Sequence, residues 1–312
     1  MTEKTTDKGL ASRVEGVEVE ARVAVIGEIA ESRLFDNRTP ETVVQDAHDR
    51  YGPFVHRVCL FSGGNDSLAV AHRCHSMYDT LIFVDTGTAV PGVREFVQRA
   101  ADWLEKPLKV YEAAPGEYRR IVLGGDDERG VYKQPLGFPG PMQHTRCYVN
   151  LKERAIDAMM RDTKAEFGTS RRDRVLLLTG IRRAESARRR QREDITKRGA
   201  KVFCNPLIDW TKRDLNAYRK ANDLIESDVA ALLHRSGECN CGAFAAPGER
   251  EELRSLWPEW FDTTIGSLER EAEAAGLPCH KWGSGREFLK AEAAGPMCSD
   301  CELRFDTEME KA

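Results

Sequence analysis

The sequence predicts an α/β fold, with a mostly parallel, twisted sheet and helices on both of its faces. Five apolar runs have the length and composition of buried strands, at 56–61, 80–84, 108–111, 174–179 and 201–204. Segments with helical periodicity separate most of these runs, and strands that alternate with helices are typical of a parallel sheet. Glycine-containing polar motifs directly follow three of the runs. Ligands of such sheets bind beyond the carboxyl ends of the strands, so one shared site is predicted at that edge.

The other elements follow in chain order. Residues 1–16 form a polar tail, and helical periodicity over 17–50 breaks near 36–40, where Thr39 and Pro40 suit a helix start. Further helices are predicted up to residue 77, at 91–104 and at 148–167, and the Gly- and Pro-rich stretch 113–145 is predicted to be a long irregular connection. We therefore predict an N-terminal tail and helical extension (1–52), an α/β domain (53–222) and a C-terminal helical segment that contains cysteines (223–312).

Composition narrows the class of protein. The chain has 312 residues, 41% of them hydrophobic, and a formal net charge of −4, which gives no global attraction to nucleic acid or membranes. The sequence contains no apolar run long enough to span a membrane, and its first eight residues are polar. A cytoplasmic protein without a membrane partner is expected. Its nine cysteines are then not expected to form structural disulfides, and Cys59 and Cys74 are expected to be buried without chemistry.

The most informative motif is the glycine loop, Ser62-Gly63-Gly64-Asn65-Asp66-Ser67, between the first strand and a helix. Such a turn directs several backbone N–H groups and the positive end of a helix dipole at one point, where a phosphate binds. Ser62 and Ser67 add hydroxyl donors, and Asp66 suits a helix cap or a metal ion on a phosphate. The spacing differs from that of the Walker P-loop.

Two further motifs follow strands. Asp85-Thr86-Gly87 offers a carboxylate and a hydroxyl beside a flexible turn, which suits a ribose hydroxyl, a base edge or a magnesium-bound water. Gly180-Ile181-Arg182 offers close backbone approach and a guanidinium for phosphate. The arginines that follow, at 188–190 and 192, have a second interpretation as a solvated basic face.

Cysteine pairs occur near the C-terminus. Cys239 and Cys241 form C-x-C, and Cys298 and Cys301 form C-x-x-C. The four sulfurs suffice for tetrahedral Zn²⁺ or a [4Fe–4S] cluster, two alternatives that the sequence does not separate. A redox disulfide between Cys298 and Cys301 is a further alternative, and reserve ligands exist at His234, Cys279 and His280.

These motifs resemble those of the PP-loop ATP pyrophosphatases, and in particular the phosphoadenosine phosphosulfate (PAPS) reductase-like family. The glycine loop is similar to that superfamily's Ser-Gly-Gly-x-Asp-Ser loop, and residues 180–186 look like its Gly-Ile-Arg-x-x-Glu-Ser element. Residues 206–214 are similar to its Pro-Leu-x-x-Trp-Thr-x-x-Asp stretch. Cys147 and Lys152 match a Cys-x-x-x-x-Lys element that opens a helix facing the active site. The resemblance covers roughly residues 50–260 and implies a Rossmann-like PP-loop domain.

The resemblance also implies a function. The glycine loop, residues 85–87 and residues 180–182 would bind ATP or PAPS, and Asp66 and Asp85 would act through Mg²⁺. Lys152 and Arg182 would stabilise developing charge. Cys147, at a helix N-terminus, is either a nucleophile with a lowered pKa or a packed cysteine. The predicted reaction is adenylyl activation with pyrophosphate release, coupled to sulfur transfer.

Two alternatives remain at this point: a genuine reductase of PAPS or adenosine phosphosulfate (APS), and a nucleotide-responsive module that binds nucleic acid without turnover. Thioredoxin-dependent PAPS reductases carry a C-terminal Glu-Cys-Gly-Ile/Leu-His segment that this chain lacks. The resemblance extends to enzymes that modify DNA with phosphorothioate, some of which carry iron–sulfur clusters. It therefore implies DNA or tRNA as sulfur acceptor, and a sulfur-donor or redox protein as partner.

Overall fold

A computed structural model describes residues 38–127, 129–168, 170 and 172–286. Its main sheet has six strands: β1 (His56–Leu60), β2 (Thr80–Asp85), β3 (Leu108–Glu112), β6 (Val175–Leu178), β7 (Ile195–Arg198) and β8 (Lys201–Cys204). A separate antiparallel hairpin consists of β4 (Gly125–Asp126) and β5 (Tyr132–Lys133). The main sheet has the order β3-β2-β1-β6-β8-β7, and every neighbouring pair is parallel except β7–β8. The predicted mostly parallel sheet is confirmed.

Helices occupy the connections between strands. Their bounds are α1 (Pro40–Tyr51), α2 (Asn65–Arg73), α3 (Val93–Trp103), α4 (Glu117–Leu123), α5 (His144–Tyr148), α6 (Arg154–Phe167), α7 (Lys212–Ala221), α8 (Asp228–Leu233), α9 (Glu249–Leu256), α10 (Pro258–Trp260) and α11 (Ser267–Ala274). A π-helical turn, Val149–Glu153, joins α5 to α6, and another, Phe261–Gly266, joins α10 to α11. Short 3₁₀ turns lie at His75–Met77, Pro141–Gln143, Arg183–Glu185, Ala187–Arg189 and Ser284–Arg286.

The sheet separates two apolar clusters, because successive side chains of a strand point to opposite faces. On one face, Val58, Ile82 and Leu177 pack with Ile156 and Met159 of α6. On the other face, the alternate strand residues pack in the larger cluster, which contains helices α1 to α3. Helices therefore cover both faces, as the sequence predicts.

Two helix starts have side-chain caps, and the one at Thr39 has the predicted chemistry. The Thr39 hydroxyl accepts a hydrogen bond from the Thr42 backbone N–H at 3.3 Å, and Pro40 is the first residue of α1. At α7, Thr211 and Asp214 form a reciprocal capping box, with each side chain accepting from the other residue's backbone N–H. Local sequence alone determines both features.

Two predictions of local structure were wrong, and one strand was missed. Residues 113–145 are not wholly irregular, because they contain α4 and the β4–β5 hairpin. The long helix begins at His144 rather than at 148. Strand β7 was not predicted, because its burial pattern offers little signal: Ile195 is buried, whereas Lys197 and Arg198 are exposed. As an antiparallel edge strand, β7 needs no apolar alternation.

Some predictions fall on residues that the structure does not describe. The helical periodicity over 17–37 and the pair Cys298 and Cys301 lie outside the described residues. The division at 52 and 222 stays a prediction. Cys59 and Cys74 are fully buried, as expected. Among the described residues, no helix combines the length and apolarity needed to cross a membrane.

Candidate active site

The glycine loop joins β1 to α2 at the carboxyl edge of the sheet. Gly63 has a φ of +77°, a conformation that favours glycine. The Ser67 hydroxyl donates to the Gly64 carbonyl at 2.9 Å and lies 3.2 Å from the Ser62 hydroxyl. Gly64 is the N-cap of α2 and provides no side-chain cap for the helix. The N-terminus of α2 is therefore suited to an external anion.

Arg182 packs directly against this loop. Its side chain is 1% exposed, and its Nε donates to the carboxylate of Asp66. Its Nη1 donates to the Trp210 carbonyl at 3.3 Å, while Nη2 is buried without a hydrogen-bond partner in the described residues. The predicted catalytic residues Asp66 and Arg182 therefore form one ion pair. Arg182 keeps one donor that a ligand oxygen can satisfy.

Gly180 is required for this packing. A Cβ built at Gly180 would lie 2.8 Å from the backbone carbon of Asp66 and 2.8 Å from the backbone nitrogen of Ser67. Real Cβ atoms essentially never approach other atoms this closely. The backbone at Gly180 thus packs directly against the backbone of the glycine loop, and this contact brings the two predicted motifs together.

The turn after β2 has two different roles. The Asp85 carboxylate accepts from the Gly87 N–H at 2.7 Å and from Arg94 Nε at 2.5 Å, and Gly87 has open space around it. The Thr86 hydroxyl instead donates to the Glu238 carbonyl at 2.7 Å, and Thr86 is 1% exposed. Thr86 therefore holds a neighbouring chain segment, a role that the sequence does not reveal.

That segment is the cysteine segment, residues 237–241. The Asn240 N–H donates to the Thr88 hydroxyl at 2.9 Å, and its amide Nδ2 donates to the Thr88 carbonyl at 2.7 Å. From other elements, Tyr118 donates to the Cys241 carbonyl at 3.1 Å and Trp282 donates to the Asn240 carbonyl at 2.8 Å. The cysteine segment is thus fixed to the end of β2 and lies beside the nucleotide motifs.

Cys147 joins the two cysteines of this segment. The Cys241 thiol lies within hydrogen-bonding reach of both Cys147 and Cys239. Contact with Cys147 is the leading cause that raises the pKa of Cys241 to about 12, and contact with Cys241, followed by burial, raises the pKa of Cys239. Cys147 is 1% exposed and is the fourth residue of α5, so it does not lie at the helix N-terminus as predicted.

Only two of the four predicted metal ligands lie among the described residues. Cys239 and Cys241 lie together, whereas Cys298 and Cys301 fall outside the described residues. Within residues 38–127, 129–168, 170 and 172–286, no group of three or more His, Cys, Asp or Glu side chains could hold a metal ion. The four-thiolate site therefore stays a prediction.

Lys152 lies in the π-helical turn beside these thiols. Its Nζ donates to Glu238 Oε1 at 2.5 Å, and the two side chains are 25% and 14% exposed. Burial alone lowers the pKa of Lys152, but the charge of Glu238 and the hydrogen bond to it outweigh burial and raise the pKa overall. The lysine is therefore held in its charged form. Lys152 and Glu238 are 86 positions apart in the chain, so no local motif indicates Glu238.

His144, at the start of α5, is a second group that sequence reasoning missed. Burial, followed by the charges of Arg188 and Lys152, lowers the pKa of His144 to about 4. Its ring makes an edge contact with Phe244, and the Arg188 guanidinium lies 4.9 Å from the centre of the same Phe244 ring. Arg188, in the basic stretch after Arg182, and Lys152 therefore both lie near His144.

The fold and the site define an α/β enzyme of the PP-loop class, with a glycine loop after the first strand and thiols beside it. Residues 56–229 match the family model described as the phosphoadenosine phosphosulfate reductase domain. The chain belongs to that family and is an enzyme of the sulfur-related PP-loop type.

Curated relatives are named phosphoadenosine 5'-phosphosulfate reductase. One from Xanthomonas euvesicatoria pv. vesicatoria (strain 85-10) is 28% identical over 206 residues, which are 61% of this chain and 68% of the relative. Another, from Xylella fastidiosa (strain M23), is 29% identical over 147 residues, 46% of this chain and 54% of the relative. The chain thus matches between about half and two thirds of the length of these relatives.

Two solved structures are similar to parts of this chain. The PAPS reductase from Candida auris, in a phosphate complex, has a TM-score of 0.42 and 16% identity, over 64% of this chain and 87% of that chain. The U34-tRNA thiolase NcsA from Methanococcus maripaludis, with its [4Fe-4S] cluster, has a TM-score of 0.37 and 12% identity, over 75% and 78%. Similarity of this degree carries no information on substrate or cofactor.

Proposed function

We propose that this enzyme binds ATP or an adenylyl-sulfate nucleotide and, with ATP, couples adenylyl activation and the release of pyrophosphate to sulfur transfer. One observation carries the proposal: the chain around the cysteine segment lies against the nucleotide motifs. A Cβ built at Gly64 would lie 3.1 Å from the Ser236 Cβ, and Glu238, two residues later, contacts both Thr86 and Lys152. Thiols thus lie next to a nucleotide bound at the glycine loop.

Each side of the site has a role in this proposal. The N–H groups of the glycine loop and of α2 bind the pyrophosphate oxygens. The buried, unpaired Nη2 of Arg182 and the charged Lys152 stabilise the negative charge that develops as pyrophosphate leaves. Asp66 and Asp85 are the carboxylates that would bind Mg²⁺, which adds positive charge on the phosphates.

A polyanionic acceptor suits the basic stretch beside Lys152. Arg188 lies over Phe244, which in turn contacts His144, so a charged and aromatic surface borders the proposed site. Arginine beside an aromatic ring can bind phosphate and stack against a base. DNA or tRNA is therefore the proposed sulfur acceptor. A sulfur-donor protein would supply the sulfur, or a redox protein would return oxidised cysteines to thiols.

A second candidate is reduction of PAPS or APS, and the contact between Cys147 and Cys241 favours it. One thiolate would attack the sulfonate sulfur, and the nucleotide would leave with the bridging oxygen. The second thiol would then displace sulfite and form a disulfide, so that two thiols supply two electrons. An external dithiol would restore both thiols.

A metal group fits the residues in part. Cys239 and Cys241, with Cys298 and Cys301, are the proposed ligands of Zn²⁺ or a [4Fe–4S] cluster, and Cys147 offers a neighbouring sulfur. Thiolate ligands suit either group. A bound zinc would cross-link the segment, whereas a cluster would also supply electrons.

Pyrophosphate release from ATP, measured with and without DNA or tRNA, tests the first candidate, and sulfite release from PAPS with a dithiol tests the second. Asp66→Asn should abolish release, since it removes the carboxylate that pairs with Arg182 at the loop. Asp209→Asn is the matched control, because Asp209 pairs with the neighbouring Arg183 on the surface. Absence of both products and of nucleotide binding would overturn the proposed function.

A further inference from the structure

Lys152 is the cation that the Cys-x-x-x-x-Lys element contributes to the site, and its ammonium group is paired with the carboxylate of Glu238. Lys152 Nζ and Glu238 Oε1 are 2.5 Å apart, and both side chains are at least three-quarters buried. A buried lysine needs a counter-ion, because an unpaired buried charge is costly. Glu238 provides that counter-ion.

The backbone of Glu238 is fixed independently of its side chain. Its carbonyl accepts from the Thr86 hydroxyl at 2.7 Å, and the neighbouring Asn240 is bound to Thr88 through its N–H and its amide. The carboxylate can therefore leave Lys152 by rotation about its own side-chain bonds. Such a movement leaves the cysteine segment in place.

The second cation of the site has the same arrangement. Arg182 is paired with Asp66 of the glycine loop, and Arg94, nearby on α3, is paired with Asp85. The cations that line the predicted nucleotide site thus have carboxylate partners within the chain. Arg182 still offers its Nη2 to a ligand, whereas an anionic group that binds Lys152 must compete with Glu238.

We infer that Glu238 is a resident counter-ion that stands in for a sulfate or phosphate oxygen of the ligand on Lys152, and that ligand binding displaces it. The inference rests on the proposed function, because it requires an anionic nucleotide at this site. Glu238 is then a positioning residue that sets the affinity for the anionic group. Because it directly precedes Cys239, its release also places a free carboxylate beside the thiol when the ligand is present.

The inference predicts an unusual sign for a mutation in a binding site. Glu238→Gln keeps the shape and a hydrogen-bonding group but removes the competing charge, so anionic nucleotides should bind more tightly. The expected gain is a factor of about 10, within the usual range of coupling between two competing ligands. Neutral adenosine should bind with unchanged affinity, since it has no group to place on Lys152.

Isothermal titration calorimetry with adenosine, AMP, ATP and adenosine 5'-phosphosulfate tests the inference and shows which anion Lys152 receives. Glu249→Gln is the matched control: Glu249 and Arg235 form a pair with similar exposure, 15% and 23%, that does not involve Lys152. In a Lys152→Gln background, the Glu238→Gln gain should disappear. Glu238→Asp retains the charge and should give no gain, and it remains available if Glu238→Gln does not fold.

The outcomes separate the inference from the proposed function. Tighter binding of anionic nucleotides by Glu238→Gln, absent with adenosine and absent in the double variant, supports the inference. Unchanged or weaker binding by a folded Glu238→Gln overturns it, even when the wild type binds nucleotide. If neither the wild type nor Glu238→Gln binds any adenine nucleotide, both the inference and the proposed function are wrong.

Discussion

Gly180→Ala is the sharpest structural test of the nucleotide site. The added Cβ would lie 2.8 Å from two backbone atoms, the carbon of Asp66 and the nitrogen of Ser67. Ordinary van der Waals contact begins at 3.4 Å, so the glycine loop and the 180–182 segment must separate. Backbone atoms cannot rotate away as a flexible side chain can. The added methyl group must therefore displace the glycine loop itself.

The size of the effect follows from this geometry. Overpacking of a tightly packed site typically lowers the free energy of unfolding by about 1–3 kcal/mol. The shortfall of several tenths of an ångström also separates Arg182 from Asp66, and a misplacement of about 1 Å in an active site can reduce turnover by about 10²-fold. We therefore expect a folded protein with moderate destabilisation and a much larger loss of nucleotide binding and turnover.

Urea denaturation and nucleotide titration measure the two effects separately. Gly266→Ala is the control, since its added Cβ meets only ordinary contacts from 3.4 Å outward and helical glycine is less stable than alanine. It should leave binding unchanged. A Gly180→Ala protein with wild-type affinity and turnover would show that the contact between residue 180 and the glycine loop is irrelevant to function.

Three further predictions concern the cysteine segment and its surroundings. Thr86→Val leaves the Glu238 carbonyl without its donor and should lower the free energy of unfolding by about 1–3 kcal/mol in urea denaturation. Thr196→Val, which removes a long 3.4 Å hydrogen bond to Glu193 from an edge strand, should change little. Cys147→Ser should keep nucleotide affinity but reduce sulfur transfer or sulfite release to background, and retained activity would exclude a role for this thiol. Burial first, then Arg188 and Lys152, lowers the pKa of His144 from 6.5 to about 4, so the unfolded state binds more protons between these values. The free energy of unfolding should therefore fall as pH falls from 6.5 towards 4, and His144→Gln should reduce this fall. Equal free energies of unfolding for the wild type at pH 7 and pH 5, measured in urea, would contradict the lowered pKa of His144.

Local chemistry made much of the fold predictable. The apolar runs indicated five of the six main strands, and Thr39 indicated a helix start, because a cap depends on residues only three or four positions apart. Strand β7 was missed because an exposed edge strand needs no apolar alternation. Helix α4 was missed because glycines at 116 and 124 bracket a short apolar run.

The site was predictable in its motifs but not in its pairings. The glycine loop, residues 85–87 and residues 180–182 do converge at one edge of the sheet, since parallel strands place their carboxyl ends together. The pairing of Lys152 with Glu238 and the approach of Cys147 to Cys241 depend on tertiary packing of distant segments. No periodicity or spacing in one sequence encodes such contacts.

Trp282 gives the enzyme an intrinsic optical probe. Its indole is 4% exposed and donates to the carbonyl of Asn240, the residue between Cys239 and Cys241. Indole emission responds to the loss of such a hydrogen bond and to the entry of water. The emission of Trp282 is the difference between the spectra of the wild type and of Trp282→Phe. This difference therefore reports on the cysteine segment in real time during ligand binding, metal loading or thiol oxidation.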